Sequence, residues 1–333
     1  MKKLLITHID LDGISPVVLL EYYEYKFDEI VFRNYFKDTT ELTDEREIEE
    51  INKEKQDLIN KINTYDSVLI TDFSLPADML EKVNDNVQIT ILDHHESAKE
   101  ILHFNEKENM NITVDTTRCG TKLVLDEIIK IYDNKATVEF VELVDVYDRW
   151  VLESEKREKS ENLNRLFWES IDYKQKKGTI DCYSIFITDM LQNFRESKEK
   201  DISFEFNQFD YIYIDRSVKK EQNALKKALS TIKTRKDSKG HYFSIVRGTS
   251  KASFVCSEIL KKYNKLDYII FINDYFKTKK EGKMSVRIKE GRDLVISDLN
   301  SIKGHDYAGG VSLGEQYTTD LFSGKIYELG YKE

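Results

Sequence analysis

The first half of the chain alternates short apolar runs with segments whose apolar residues have helical spacing. Runs typical of buried strands lie at KLLITHID, EIVFRNY, SVLITDFS, VQITILDHH and NITVDTT (residues 3–10, 29–35, 67–74, 87–95 and 111–117). Helical spacing predicts helices at SPVVLLEYYEY, at residues 41–63, at CGTKLVLDEIIKIY and at ATVEFVELVDVYDRW. Strands that alternate with helices predict βαβ units and a parallel sheet covered on both faces.

The pattern changes after Trp150. Residues 151–200 are polar and helical in spacing, a strand is predicted at FDYIYI (209–214), and residues 216–236 have helical spacing with a basic face. Strands return at HYFSIVRG, DYIIFIND and KMSVRIKEG (241–248, 267–274 and 283–291), with the helix FVCSEILKKY between the first two. We expect an α/β protein with a parallel-sheet N-terminal domain (1–190), a helical connector (191–239) and a smaller mixed α/β C-terminal domain (240–333).

Composition narrows the class of protein. The 333 residues suffice for two domains, 40% of them are apolar, and no run of 18 apolar residues predicts a membrane span. The apolar part of MKKLLITHID is too short for a signal peptide, and the three cysteines are widely spaced, so we expect a cytoplasmic protein with reduced thiols. The net charge of −10 argues against electrostatic capture of long nucleic acid, although residues 219–239 are basic. A solvated helix face is the simpler explanation of that basic stretch.

Carboxylates and imidazoles follow the strands of the predicted sheet. They are His8, Asp10 and Asp12 after the first strand, Asp72 after the third, Asp93, His94 and His95 after the fourth, and Asp145 and Asp148 farther on. Ligands bind at the carboxyl ends of strands in open parallel sheets, so these groups should converge. Crowded carboxylates repel one another unless cations neutralise them, and a mixed carboxylate and imidazole set suits Mn²⁺ or a similar first-row metal.

Each group taken alone has an ordinary explanation. HIDLDG could be a turn, and ILDHHES could be a solvated turn after a strand. Asp72 could cap a helix that begins near Pro76, and Asp148 beside Arg149 could be a surface ion pair. The conjunction of all these groups favours a metal site.

These residues also carry a resemblance to a known family. HIDLDG, ITDFS, DHH and a downstream aspartate resemble the four motifs of the DHH phosphoesterase superfamily, which includes RecJ-type exonucleases, nanoRNases, cyclic-dinucleotide phosphodiesterases and family II pyrophosphatases. KGHDYAGGVSL (303–313) is similar to the glycine-rich motif of the DHH-associated C-terminal domain, and MSVRIK (284–289) is similar to the strand before it. Lys303 departs from that motif, where a glycine is usual.

The resemblance implies a role for each residue. His8, Asp10 and Asp72 would hold one divalent metal ion, and Asp12, Asp72, His94 and Asp145 would hold a second, with Asp72 between the two. Asp148 fits the fourth motif as an alternative to Asp145, which we prefer. His95 would contact the scissile phosphate, and Asp93 would orient its neighbours. The substrate-binding residues would be Arg287, Gly304, His305, Gly309 and Gly310, whose glycines allow close backbone approach.

The function that follows is a hydrolase of phosphoric esters. We expect a manganese-dependent phosphodiesterase, with Mg²⁺ or Co²⁺ as alternative metals, that acts as an exonuclease of the oligoribonuclease type and releases 5′-mononucleotides. Its partners would be short RNA or DNA oligonucleotides or other nucleotide phosphodiesters. We expect no membrane partner, and a homodimer is an open alternative to a monomer. The alternatives are a cyclic-nucleotide phosphodiesterase, a RecJ-like single-strand exonuclease and, from another class, a catalytically silent nucleotide-binding module.

Overall fold

The structure is a computed structural model whose contacts divide the chain into two units, Met1–Asp215 and Arg216–Glu333. It describes residues 1–36, 45–151, 153–172, 174–175, 178–248, 250–273, 281–299, 302–305, 307–314 and 320–331, with the backbone alone at 281–283, 303–305 and 312–314. The three-part division expected at residues 190 and 239 stays a prediction. In the described part of the chain, no helix is both long enough and apolar enough to cross a membrane.

The N-terminal unit contains the predicted parallel sheet. Its strands are β1 (Lys3–Thr7), β2 (Glu29–Phe32), β3 (Ser67–Thr71), β4 (Gln88–Asp93) and β5 (Met110–Val114). Its helices are α1 (Leu11–Tyr22), α2 (Glu45–Ile62), α3 (Ala77–Leu80), α4 (Gly120–Leu123), α5 (Lys135–Asp148), α6 (Arg157–Ser170) and α7 (Ile180–Lys200). A 3₁₀ helix spans Glu96–Glu106, and a π-helix at Val124–Ile129 continues α4.

The order of the strands fixes where a ligand would bind. They lie in the order β2-β1-β3-β4-β5, and every pairing is parallel. The chain passes from β1 to β2 on one side and then to β3 on the other, so the order reverses between β1 and β3. The crevice beyond the carboxyl ends of strands at such a reversal is the usual ligand site of an open parallel sheet.

The core explains why the strands read as continuous apolar runs. Residues 4–7 of β1 and 68–71 of β3 are all buried, because helices cover both faces of the sheet. Helix α1 is buried from Leu11 through Leu20, with Pro16 inside it, so it packs on all sides rather than along one stripe. This packing holds the loop between β1 and α1 in place.

The C-terminal unit has a mixed sheet, as expected. Its strands, β6 (Lys233–Lys236), β7 (Tyr242–Gly248), β8 (Tyr268–Asn273), β9 (Glu281–Ile288), β10 (Lys303–His305) and β11 (Ala308–Gly314), lie in the order β10-β11-β9-β8-β7-β6. Only β7 and β8 pair in parallel among these described strands, and helix α9 (Ala252–Lys262) connects them. The remaining pairs are antiparallel.

Two sequence predictions near the junction of the units are wrong. FDYIYI is not a strand, because it lies in helix α8 (Gln208–Leu229), which begins in the first unit and ends in the second. Its buried residues, Asp210, Ile214, Ser217, Glu221 and Ala228, recur at helical spacing. Aromatic and β-branched side chains suggested a strand, but Phe209 is 73% exposed. The helix predicted over 216–236 also ends early, at Leu229, and β6 follows.

Candidate metal centre

The loop between β1 and α1 holds the first three site residues. Asp10 is the N-terminal cap of α1, and its side chain accepts a hydrogen bond of 3.0 Å from the backbone N–H of Gly13. Asp12 lies in the first turn of α1 and is 2% exposed. His8 stands between the strand and this cap, with its Nδ1 atom 2.9 Å from Asp10 Oδ2. This capped turn therefore places His8, Asp10 and Asp12 at the carboxyl end of β1.

The ends of β3 and β4 supply the next residues. Asp72 follows β3, is 2% exposed and has a left-handed backbone conformation with a φ of 51°. Asp93 ends β4, and its Oδ1 atom accepts hydrogen bonds from the backbone N–H of His94 (2.7 Å) and from Nδ1 of His95 (2.8 Å). Ser74 donates a hydrogen bond to the other oxygen of Asp93. Asp93 therefore fixes the turn that carries both histidines.

Six of the predicted ligands come together in one cluster, in which Asp12, Asp72 and His94 are buried and the other three are half-buried. Asp72 Oδ2 is 3.7 Å from His8 Nδ1, and Asp72 Oδ1 is 3.1 Å from His94 Nε2. His94 Nε2 is also 3.6 Å from Asp12 Oδ2 and 3.3 Å from Asp148 Oδ2. Three groups of side chains could each hold a metal ion, and Asp72 belongs to two of them. The groups are His8, Asp10 and Asp72; Asp72, His94 and His95; and Asp12, His94 and Asp148.

Helix α4 closes the cluster from another side. The backbone N–H groups of Gly120 and Thr121 donate hydrogen bonds of 2.7 and 2.8 Å to the two oxygens of Asp12. A Cβ atom at Gly120 would lie 2.7 Å from Asp72 Cβ and 3.0 Å from Asp12 Oδ2. Only glycine allows this approach, so the position of α4 depends on it.

The two aspartates of α5 have different surroundings. Both oxygens of Asp145 accept hydrogen bonds from Arg149, at 3.0 and 2.8 Å, and Oδ1 also accepts one of 2.8 Å from the N–H of Cys119. Asp148 instead points at His94. The contacts of Asp145 are therefore those of a structural residue that ties α5 to the start of α4, and Asp148 is the α5 carboxylate that joins the cluster.

The electrostatics of the cluster favour a cation. Burial, reinforced by repulsion from Asp12 and Asp10, raises the pKa of Asp72 well above its ordinary value. Burial and the charge of Asp12 likewise raise the pKa of Asp148. Burial also opposes the ionised form of Asp10, but the hydrogen bond and charge of His8 lower the pKa of Asp10 to about 2. Carboxylates that repel one another in a buried site become stable as anions when a metal ion binds them.

The donor atoms fit divalent metal ions. Asp72 Oδ2 and Asp148 Oδ2 are buried, and neither has a hydrogen-bond partner among the residues that the structure describes. Buried polar atoms of this kind need a partner, and a bound cation would supply it. Carboxylate oxygens combined with imidazole nitrogens suit Mn²⁺ and similar ions. The residues that could hold them are His8, Asp10, Asp12, Asp72, His94, His95 and Asp148.

His95 lies beside the cluster with its ring held on both sides. Burial by itself lowers its affinity for a proton, but the hydrogen bond and charge of Asp93 raise the pKa of His95 above its ordinary value. The hydroxyl of Tyr35 is 3.0 Å from His95 Nε2, and the Tyr35 ring lies 4.7 Å from the ring of His8. Tyr35 was not among the site residues predicted from the sequence. The only available signal was its position shortly after β2, the strand beside β1.

The predicted substrate residues lie in the C-terminal unit. Arg287 is on β9, and its guanidinium donates hydrogen bonds of 2.7 Å to Ser253 Oγ and 2.9 Å to the Val286 carbonyl oxygen. The neighbouring strand β11 places Ala308 opposite Arg287. Gly304 pairs with Gly309, and His305 with Ala308, across the hairpin of β10 and β11, which also contains Gly310. The structure thus brings the glycine-rich segment next to Arg287 at the edge of the sheet.

Comparison with known proteins gives similar chains over nearly the full length. No protein-family model matches the chain. It is 25% identical over 326 residues to the oligoribonuclease NrnB of Bacillus subtilis (strain 168). The aligned region covers 92% of this chain and 70% of NrnB. The pGpG-specific phosphodiesterase PggH of Vibrio cholerae has a TM-score of 0.51 and 15% identity, covering 98% of this chain and 97% of PggH. RecJ of Thermus thermophilus, solved in complex with Mn²⁺, has a TM-score of 0.51 and 12% identity, covering 98% of this chain and 51% of RecJ.

These matches fall within the superfamily that the sequence motifs indicated. The α/β fold of two units is shared with PggH and RecJ. The similarity to these proteins and to NrnB supports the resemblance of the motifs to those of the DHH phosphoesterase superfamily. The predicted motifs that include His8, Asp72 and His94 supply the cluster described above.

Proposed function

We propose that the protein is a divalent-metal-dependent phosphodiesterase that hydrolyses short oligonucleotides to 5′-mononucleotides. The observation that carries the proposal is the cluster in which Asp72 belongs to two groups of carboxylate and imidazole ligands. The similarity to NrnB, named an oligoribonuclease, and to PggH, named a pGpG-specific phosphodiesterase, supports a short oligonucleotide as the substrate. Mn²⁺ is the metal we propose, with Mg²⁺ or Co²⁺ as alternatives.

Each residue of the cluster has a proposed part in the reaction. His8, Asp10 and Asp72 would hold one ion, and Asp12, Asp72, His94 and Asp148 the other. We propose Asp148 in place of Asp145, because Arg149 and the Cys119 N–H already use both oxygens of Asp145. When bound, the two ions would lower the pKa of a water molecule and stabilise negative charge on the phosphoryl group.

His95 would bind the phosphate rather than a metal. Asp93 accepts a hydrogen bond from His95 Nδ1, so Nε2 is a hydrogen-bond donor when the ring is protonated. The raised pKa of His95 favours the protonated form, which binds a phosphate oxygen more strongly than a neutral ring does. Arg287 and His305 would bind the end of the substrate that is not cleaved, and the glycines at 304, 309 and 310 would let the backbone approach it.

Short chains should be the preferred substrates. With a net charge of −10, the protein gains little from long polyanions through its overall field. Measured kcat/KM should therefore fall as RNA lengthens beyond a few nucleotides. A rate that rises with length would indicate a RecJ-like exonuclease, and turnover of cyclic nucleotides alone would indicate a cyclic-nucleotide phosphodiesterase.

The deciding experiment is mass-spectrometric analysis of digests, in MnCl₂ and in EDTA. The panel contains RNAs of two to seven nucleotides, cyclic nucleotides and pyrophosphate. Asp72→Asn, which keeps the left-handed backbone, should lose turnover and bound metal without unfolding, whereas His95→Ala should lose most activity and keep its metal. Asp78→Asn is the matched control, since the Asp78 side chain is 54% exposed on α3. Equal metal loss in Asp72→Asn and His95→Ala would contradict the roles assigned here, and no 5′-mononucleotide from any substrate would refute the function.

A further inference from the structure

A cavity of about 190 Å³ adjoins the metal cluster within the N-terminal unit. It lies between the start of α1 and helices α5 and α6. Three carboxylates line it, those of Asp10, Asp12 and Asp148. Tyr147, Asn164 and Trp168 also line it. We call it the α5–α6 cavity.

The lining combines two kinds of chemistry. The carboxylates belong to the groups that could hold metal ions, so a phosphate bound by those ions would lie beside the cavity. The helices α5 and α6 contribute two aromatic rings, and Asn164 Nδ2 donates a hydrogen bond of 2.8 Å to the Tyr147 hydroxyl, which fixes the plane of the amide. A ligand that fits both kinds of lining carries a phosphate joined to a flat ring with polar edges.

The size of the cavity limits which part of a ligand it can take. Whole small ligands occupy pockets of roughly 300–1,000 Å³, so about 190 Å³ accommodates only a fragment of a nucleotide. Aromatic side chains beside a polar amide are the usual means of binding a base, since every base has a face that stacks and an edge that forms hydrogen bonds.

We propose that the α5–α6 cavity binds the nucleobase of the nucleotide next to the scissile phosphate. The base stacks on Trp168 and Tyr147, and Asn164 forms a hydrogen bond with its edge. This inference rests on the proposed phosphodiesterase function, since that function places the phosphate at the metal cluster. The inference adds that the N-terminal unit itself selects nucleotides over pyrophosphate and over phosphate esters that lack a base.

Equilibrium binding tests the site without turnover. In MnCl₂, isothermal titration compares adenosine 5′-monophosphate with ribose 5-phosphate, which has the same phosphate and sugar but no base. Removal of a stacking side chain typically weakens binding of a base by about 5- to 150-fold. The unmodified protein should therefore prefer the nucleotide by a factor in that range, Trp168→Ala should lose most of the preference, and Trp168→Phe should keep part of it.

Kinetics provide a second, matched comparison. The two substrates are a 5′-phosphorylated RNA dinucleotide and its analogue with an abasic residue next to the scissile phosphate. The unmodified protein should have a higher kcat/KM for the dinucleotide, and the two kcat/KM values should become similar in Trp168→Ala. Phe209→Ala is the control, because Phe209 is an exposed aromatic residue that does not line the cavity. Thermal melting confirms that each variant is folded.

The outcomes separate the two proposals. A preference for the base that persists unchanged in Trp168→Ala, or no preference in the unmodified protein, overturns the base-binding site. If the unmodified protein prefers the base and Trp168→Ala abolishes that preference, the base-binding site is supported even when no phosphodiester is hydrolysed. In that case only the proposed phosphodiesterase function is refuted.

Discussion

Replacing Asp148 and Asp145 with asparagine, one at a time, tests which carboxylate of α5 serves the metal ions. The two residues are three positions apart on one helix, so each variant is the control for the other. Asp148 Oδ2 lies 3.3 Å from His94 Nε2, whereas Asp145 is bound to Arg149 and to the Cys119 N–H. The substitutions should therefore have opposite effects on the stability of the metal-free protein.

The contacts give the sign and size of each effect. Asp145→Asn keeps an acceptor for Cys119 but loses the paired charge on Arg149, whose side chain is 30% exposed. We expect a loss of about 1–2 kcal/mol in the free energy of unfolding, or roughly 2–8 °C in Tm for a unit of this size. The pKa of Asp148 is raised by burial and by Asp12, so its ionised form destabilises the folded state at neutral pH. Asp148→Asn should therefore raise Tm in EDTA.

Metal ions should reverse the order of the Tm values of the two variants. An ion present at 100 times its Kd stabilises the folded protein by about 2.7 kcal/mol, so Mn²⁺ should raise the Tm of the unmodified protein and of Asp145→Asn. Asp148→Asn should respond weakly, retain little metal and hydrolyse dinucleotides poorly. The assay is thermal melting across a Mn²⁺ titration, together with metal analysis of the purified proteins. If Asp148→Asn responds to Mn²⁺ as the unmodified protein does and Asp145→Asn does not, the assignment is wrong.

Three further predictions concern other residues. Burial raises the pKa of Asp210 to about 6, so the stability that its protonated form contributes is present below about pH 4 and is lost as the pH rises through 6. Urea unfolding at pH 5 and pH 8 should show that Asp210→Asn loses less stability between these pH values than the unmodified protein, by about 2 kcal/mol at most. An equal pH dependence of the two proteins would contradict this prediction. Tyr35→Phe keeps the ring beside His8 and removes the hydroxyl from His95, so kcat should fall by about 3- to 10-fold with metal content unchanged, whereas unchanged kcat would show that this contact is dispensable. Arg287→Ala should raise KM for dinucleotides and spare a small chromogenic phosphodiester, and equal losses on both substrates would assign it a wider role.

The sequence was most informative where one physical requirement dominates. Strands buried on both faces must be apolar throughout, so β1, β3, β4 and β5 were each predicted within a few residues of their observed bounds. Polar residues directly after such strands have few structural reasons to be there. This is why the cluster that contains Asp72 and His94 could be predicted before any coordinates were known.

The errors and omissions arose where tertiary contacts decide. FDYIYI satisfies a strand pattern locally, yet the burial of Asp210 and Ile214 four residues apart belongs to a helix. The choice between the two aspartates of α5 depends on where Arg149 points, which the sequence does not specify. Tyr35 meets His95 only because the chain returns beside β1 after α1, so 60 residues separate the two partners.

The left-handed backbone of Asp72 has a practical consequence for capturing the protein with its proposed substrate bound. Few residues other than glycine, asparagine and aspartate adopt a φ of 51° without strain, and alanine at this position would combine lost charge with a distorted turn. Asparagine keeps both the conformation and one oxygen. For crystallisation of an intact substrate complex, Asp72→Asn is therefore the preferable inactive variant, since the turn after β3 keeps its conformation.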